Sequence, residues 1–99
     1  MPARIEIPDQ ELKAFCQRNH IRRLALFGSV LRSDFRPNSD VDLLVEFEPE
    51  YIPGLTFFRM QRELSGMLSR QVDLHTVSDL GPHFRQEVLG QAEDLYVAA

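Results

Sequence analysis

The chain has one cysteine and one lysine, and it lacks a long apolar run, an internal repeat, a linker or a low-complexity segment. A lone Cys16 cannot close an internal disulfide, so the fold must rest on its core, and a free thiol suits a reducing cytoplasm. No stretch approaches the ~20 apolar residues of a membrane-spanning helix. Residues 1–8 do not read as a signal peptide. Basic charge is thin, with 11 Lys and Arg against 15 Asp and Glu, a formal net charge of −4. Non-specific nucleic-acid binding depends on neutralising phosphates, so this balance argues against RNA or DNA as a direct ligand. Apart from Lys13 the cations are arginines, which suit bidentate phosphate contacts. Arg22, Arg23, Arg32 and Arg36 nonetheless form no continuous basic stripe.

What is present is an ordinary globular balance, 43% hydrophobic and 26% charged over 99 residues, which predicts a single domain spanning 1–99. Helical spacing of Leu12, Phe15 and Cys16 behind Asp9 predicts a helix over 9–18 with Asp9 as its N-cap. Residues 21–27 and 40–48 read as strands, the first apolar enough to be buried on two faces. Pro53-Gly54 opens a second helix whose stripe of Leu55, Phe58, Met60, Leu64, Met67 and Leu68 should lie on a sheet. Residues 71–76 form a third strand. Ser78 is placed to cap a last helix carrying Leu80, Phe84 and Val88 and ending at Gly90, and residues 95–97 suggest a short edge strand. Alternating helices and strands with short connections give an α/β (α+β) domain.

The chain is organised around residues 24–47, LALFGSVLRSDFRPNSDVDLLVEF. The first strand ends at Gly28-Ser29, where glycine permits a sharp turn and close approach to a ligand. Ser29 can cap a short helix over 30–33, whose free N–H groups favour an anion. Asp40 and Asp42 open the second strand and share one face, about 6.6 Å apart along the chain. Like charges so placed repel unless a cation lies between them, and hard ions such as Mg²⁺ take carboxylate oxygens together with phosphate. The plainer alternative is a solvated strand edge, with Ser39-Asp40 closing the preceding turn. On the third strand Asp73 and His75 share a face opposite Val72 and Leu74, and periodicity alone leaves Asp73 equally able to face solvent.

Gly28-Ser29, ten intervening residues and Asp40-x-Asp42 resemble the GS-x10-DxD motif of the polymerase-β-like nucleotidyltransferase superfamily. With Arg32, Asp34, Arg36-Pro37 and Ser39 through Val45, the string is similar to its smallest members, the minimal nucleotidyltransferase (MNT) proteins that act as antitoxins to HEPN-domain toxins. The resemblance covers residues 24–97 and departs at Ser33 and Phe35, where relatives often carry small residues. It implies a small, mixed, twisted sheet with helices packed on it. It implies Asp40, Asp42 and Asp73 as catalytic and metal-holding carboxylates for two Mg²⁺ ions, with Mn²⁺ as the other candidate. It implies Gly28, Ser29, Arg32 and Ser39 as the nucleotide-binding residues, with ATP as substrate. The activity implied is transfer of AMP to a hydroxyl on a HEPN toxin.

A chain this short uses its apolar residues on one core, which leaves little for a second closed pocket and favours an acceptor with its own shape, such as a protein loop. The competing reading is a non-catalytic module that neutralises a partner by docking through residues 51–58 and Tyr96. A homo-oligomer is compatible with either. His75 could reach a phosphate or substrate but reads first as a hydrogen-bonded structural histidine, Cys16 reads as a core thiol, and His20 and His83 carry no assigned chemistry.

Overall fold

The computed structural model describes residues 7–28 and 40–98. In chain order these form helix α1 (Asp9–Arg18), strands β1 (Ile21–Phe27) and β2 (Val41–Phe47), helix α2 (Thr56–Leu68), strand β3 (Val72–Thr76), a 3₁₀ turn (Val77–Asp79), helix α3 (Pro82–Gln91) and strand β4 (Glu93–Val97). The strands make one mixed sheet in the order β3-β2-β1-β4. β1 runs antiparallel to β2 and to β4, while β2 and β3 are parallel, joined through α2. This is the α/β architecture expected. The edge strand expected at 95–97 is present as β4, two residues longer at its start.

Strand alternation sorts the side chains into two layers. Leu24 and Leu26, then Val41, Leu43 and Val45, then Val72 and Leu74 face α1 and α2, where they pack on Leu12, Phe15, Cys16, Met60, Leu64 and Leu68. Phe27 and Leu44 face the other way and pack on Leu80 and Val88, with Val77 and Ala92 against them. Cys16 is fully buried in the first layer, and burial pushes its thiol up to about 12, which suits an inert core residue.

Some of the expected details differ. The cap of α1 is Pro8, and Asp9 is the first helical residue, where its charge favours the positive end of the helix. Ser78 caps nothing in α3. Thr76 and Asp79 instead form a capping box around the 3₁₀ turn, and α3 starts after Gly81 with Pro82, whose fixed φ suits a first helical position. Gly90 does not stop α3, which continues to Gln91. Leu55 and Phe58 are exposed, at 85% and 63%, rather than in the core stripe. Leu55 precedes the helix, and Phe58 lies about 200° around α2 from Met60, the residue that touches the sheet. The short helix expected over 30–33, the loop that follows it and the side chain of Phe84 lie outside the described residues.

β3 is an edge strand, and two side chains of α2 satisfy its outward donors. Val72 N–H donates to Ser65 Oγ at 3.0 Å, and Leu74 N–H donates to Gln61 Oε1 at 2.9 Å. These bonds cover part of the open edge and pin α2 to the strand that carries Asp73. Replacing Gln61 with Ala leaves the Leu74 N–H without this partner and should lower unfolding stability by about 1–2 kcal/mol; urea denaturation of the two proteins measures it.

Candidate functional site

The site is built where β1 ends and β2 begins. Phe27 pairs with Asp42 across the antiparallel β1–β2 ladder, so Gly28 lies beside the Asp42 carboxylate. Gly28 has φ +75°, a left-handed conformation that glycine adopts without penalty. A Cβ at that position would stand 2.5 Å from Asp42 Oδ2, so the site is shaped around a missing side chain as well as a permitted turn. Across the parallel β2–β3 ladder Asp42 pairs with Asp73, and Leu44 pairs with His75. Asp42, Asp73 and His75 therefore share the face of the sheet that carries Phe27 and α3, while the adjacent Val41, Leu43, Val72 and Leu74 fill the opposite layer. Asp40 stands exposed immediately before β2, whose first N–H, from Val41, donates to Gln71 O at 2.9 Å.

Electrostatically the arrangement opposes itself. Burial raises the Asp42 pKa from its ordinary value; the nearby His75 lowers it, and the Asp73 and Asp40 carboxylates raise it further. His75 Nε2 lies 3.5 Å from Asp42 Oδ1. That is an ion-pair separation, longer than a formed hydrogen bond. The Nε2 atom is buried and has no hydrogen-bond partner among the described residues. The ring packs edge-on against Phe27, centroids 5.3 Å apart. His75 thus faces the site, with its Nε2 directed at Asp42 and without a formed hydrogen bond among the described residues. Periodicity placed it on the face of Asp73, but its closeness to Asp42 depends on the parallel register of two strands that are far apart in sequence.

The carboxylates fit a hard divalent cation in kind, being oxygen donors whose mutual repulsion a cation would relieve. Among the described residues, no three His, Cys, Asp or Glu side chains are gathered tightly enough to enclose an ion. The structure brings Gly28, Asp42 and Asp73 together, with Asp40 at the head of β2. Ser29, Arg32 and Ser39 lie outside the described residues. Of the arginines near the motif, Arg22 and Arg23 are committed elsewhere. Arg22 pairs with Glu46 at 2.9 Å, and Arg23 joins Glu46 at 3.2 Å and Asp94 at 2.5 Å. The Asp94 hydrogen bond, more than any other contact, raises the Arg23 pKa. Open grooves of about 610, 390 and 500 Å³ lie on other parts of the surface, and none is lined by Asp40, Asp42 or Asp73.

Comparison with known proteins agrees with this geometry. Residues 10–98 match the family model described as polymerase beta, nucleotidyltransferase. The protein adenylyltransferase MntA of Thermococcus cleftensis is 36% identical over 78 residues, covering 78% of this chain and 77% of the relative. A solved structure described provisionally as a minimal nucleotidyltransferase superposes with a TM-score of 0.71 at 36% identity over 85% of each chain. A solved complex of a tri-AMPylated Shewanella oneidensis HEPN toxin with MNT antitoxin shares the fold, with a TM-score of 0.65 at 20% identity over 91% of this chain and 70% of that one. With the family model covering nearly the whole chain and a relative 36% identical over 78 residues, the protein belongs to the polymerase β-type nucleotidyltransferases.

Proposed function

We propose that this protein is an antitoxin that transfers AMP from ATP to a hydroxyl on a HEPN-domain toxin, in a metal-dependent reaction in the cytoplasm. The observation that carries the reading is the register of Asp42 against Asp73 across β2 and β3, with Gly28 opened beside Asp42. Support for the donor and acceptor comes from the Thermococcus relative, which is a protein adenylyltransferase, and from the Shewanella complex, in which a HEPN toxin carries AMP. The acidic net charge of −4 favours a protein acceptor over a nucleic acid. The whole chain acts as one domain in this reading.

In the reaction, a toxin hydroxyl oxygen attacks the α-phosphorus of ATP in line. The new O–P bond forms as the bond to the β-phosphate oxygen breaks, and pyrophosphate departs. Asp73 takes the hydroxyl proton. Gly28 lets the backbone come close to the β- and γ-phosphates, and Ser29 donates to them, with Arg32 and Ser39 completing the hold on the nucleotide. Asp40, Asp42 and Asp73 would hold Mg²⁺ or Mn²⁺, which when bound supplies charge neutralisation at the attacking and leaving oxygens. Without that cation the half-buried Asp42 is electrostatically unfavourable, the mark of a residue kept for chemistry rather than for the fold.

A docking role is compatible with this and has its own observation. Ile52, Leu55 and Phe58 stand exposed, at 84%, 85% and 63%, on the segment that links β2 to α2 and on α2 itself. Partner docking through that segment would add to transfer rather than replace it.

Incubating the protein with labelled ATP, Mg²⁺, the purified toxin partner, a tRNA pool and small alcohols should label the toxin alone. Label on RNA or on an alcohol, with the toxin unmodified, contradicts the reading. Asp42→Asn should abolish transfer while leaving metal-free thermal stability equal to or above wild type, because the amide removes a carboxylate disfavoured by burial and by its neighbours; a calorimetric scan beside the labelling assay reads the two effects. Gly28→Ala should cost about 1–2 kcal/mol of stability from the left-handed φ. It should reduce transfer further, because the new Cβ displaces Asp42 Oδ2. Denaturant melts and initial rates measured on the same preparation separate these losses.

A further inference from the structure

The Asp42 carboxylate is bounded on two sides. Oδ2 points at Gly28, where any Cβ would meet it at 2.5 Å. Oδ1 faces His75 Nε2 at 3.5 Å. The His75 side chain is 35% exposed as a whole, yet its Nε2 is buried, so this end of the ring is directed inward. Phe27 meets the ring edge-on, and this contact restricts its rotation. A buried imidazole nitrogen without a partner is costly unless something uses it. Asp42 Oδ1 is the acceptor it faces, and a small rotation of either side chain closes the separation to hydrogen-bond length.

The tautomer follows from the same geometry. A neutral imidazole has one N–H and one lone pair. A lone pair at Nε2 would confront the carboxylate oxygen with like charge density, whereas an N–H there attracts it. We infer that His75 is the positioning residue of Asp42: it carries a proton on Nε2 and donates it to Oδ1, thereby fixing the direction in which the carboxylate presents its remaining lone pairs. His75 touches neither phosphate nor acceptor in this role; it acts through Asp42. The consequence for cation binding rests on the metal-dependent reading above, and partners of this kind are what orient carboxylate ligands around an ion.

Two measurements on the full chain test it. Long-range proton–nitrogen NMR on the metal-free protein should show a His75 proton on Nε2; a proton on Nδ1 alone overturns the inference. Mn²⁺ titration by calorimetry then compares wild type with His75→Leu and His75→Gln. Leucine fills the space beside Phe27 without a donor, and glutamine returns an amide N–H near the position of Nε2. The expected result is affinity about 10-fold weaker in His75→Leu, the scale of a lost outer partner, and largely restored in His75→Gln. Equal affinity in wild type and His75→Leu overturns the role of His75 and leaves the nucleotidyltransferase reading intact. Should His75→Leu fail to fold, a glutamine variant that folds but binds as weakly as Asp42→Asn also overturns it. Absence of Mn²⁺ binding by the wild type would overturn the metal-dependent reading itself, and this inference with it.

Discussion

The structure depends on a register. Asp42 is locked opposite Phe27 on one side and opposite Asp73 on the other, and a one-residue slip of either pairing would turn a carboxylate into the layer held by Leu43, Val45 and Leu74. Hydrophobic burial enforces that register. Val41, Leu43 and Val45 are each 1% exposed or less, and burying side chains of this size stabilises a fold by about 1.5–3 kcal/mol each. The core thus holds two like charges close to one another, at a cost the carboxylates could not sustain alone. Folding energy from one face of the sheet fixes chemistry on the other.

The two faces divide the work. α1 and α2 cover the face with the larger apolar cluster, and α3 with the 3₁₀ turn packs on Phe27 and Leu44 on the other face. The carboxylates stand on that second face, where Asp42 keeps about a quarter of its side chain exposed, 28%. That is enough solvent for ions and phosphates to arrive and enough burial for charge to matter. At the far end of the same strands, Arg22 and Arg23 are neutralised by Glu46 and Asp94. Cation and carboxylate are paired there, whereas Asp42 and Asp73 stand side by side at the Gly28 end. That separation along the sheet gives the domain a defined site despite its modest net charge.

Much of this was legible in the sequence because it is local. The alternation of Val72, Asp73, Leu74 and His75 fixed which side chains share a face, and the abrupt end of LALF at Gly28 marked the turn. The limits of α1 and β1 coincide with the expected ones, since apolar spacing and breakers agree there. What escaped was relational. Nothing in the sequence pairs His75 with Asp42, because that contact needs the parallel register of β2 with β3. Nothing local marks Gln61 and Ser65 as partners of β3, yet they accept from the N–H groups of Leu74 and Val72. Phe58 and Leu55 were read into the apolar stripe of the second helix, but Leu55 precedes α2 and Phe58 lies on its outward side. Apolar identity alone did not distinguish a packing residue from an exposed one.

The central claim is that Asp40 and Asp42 at the start of β2, with Asp73 beside them on β3, form a cation site. Paramagnetic broadening by Mn²⁺, followed residue by residue in the amide NMR spectrum, tests it most directly. The account predicts that substoichiometric Mn²⁺ erases the amide signals of Gly28, Asp40, Asp42 and Asp73 first, while Arg23, Glu46 and Asp94 remain sharp. Broadening centred on Glu46 and Asp94, or spread evenly over the acidic surface, would contradict it.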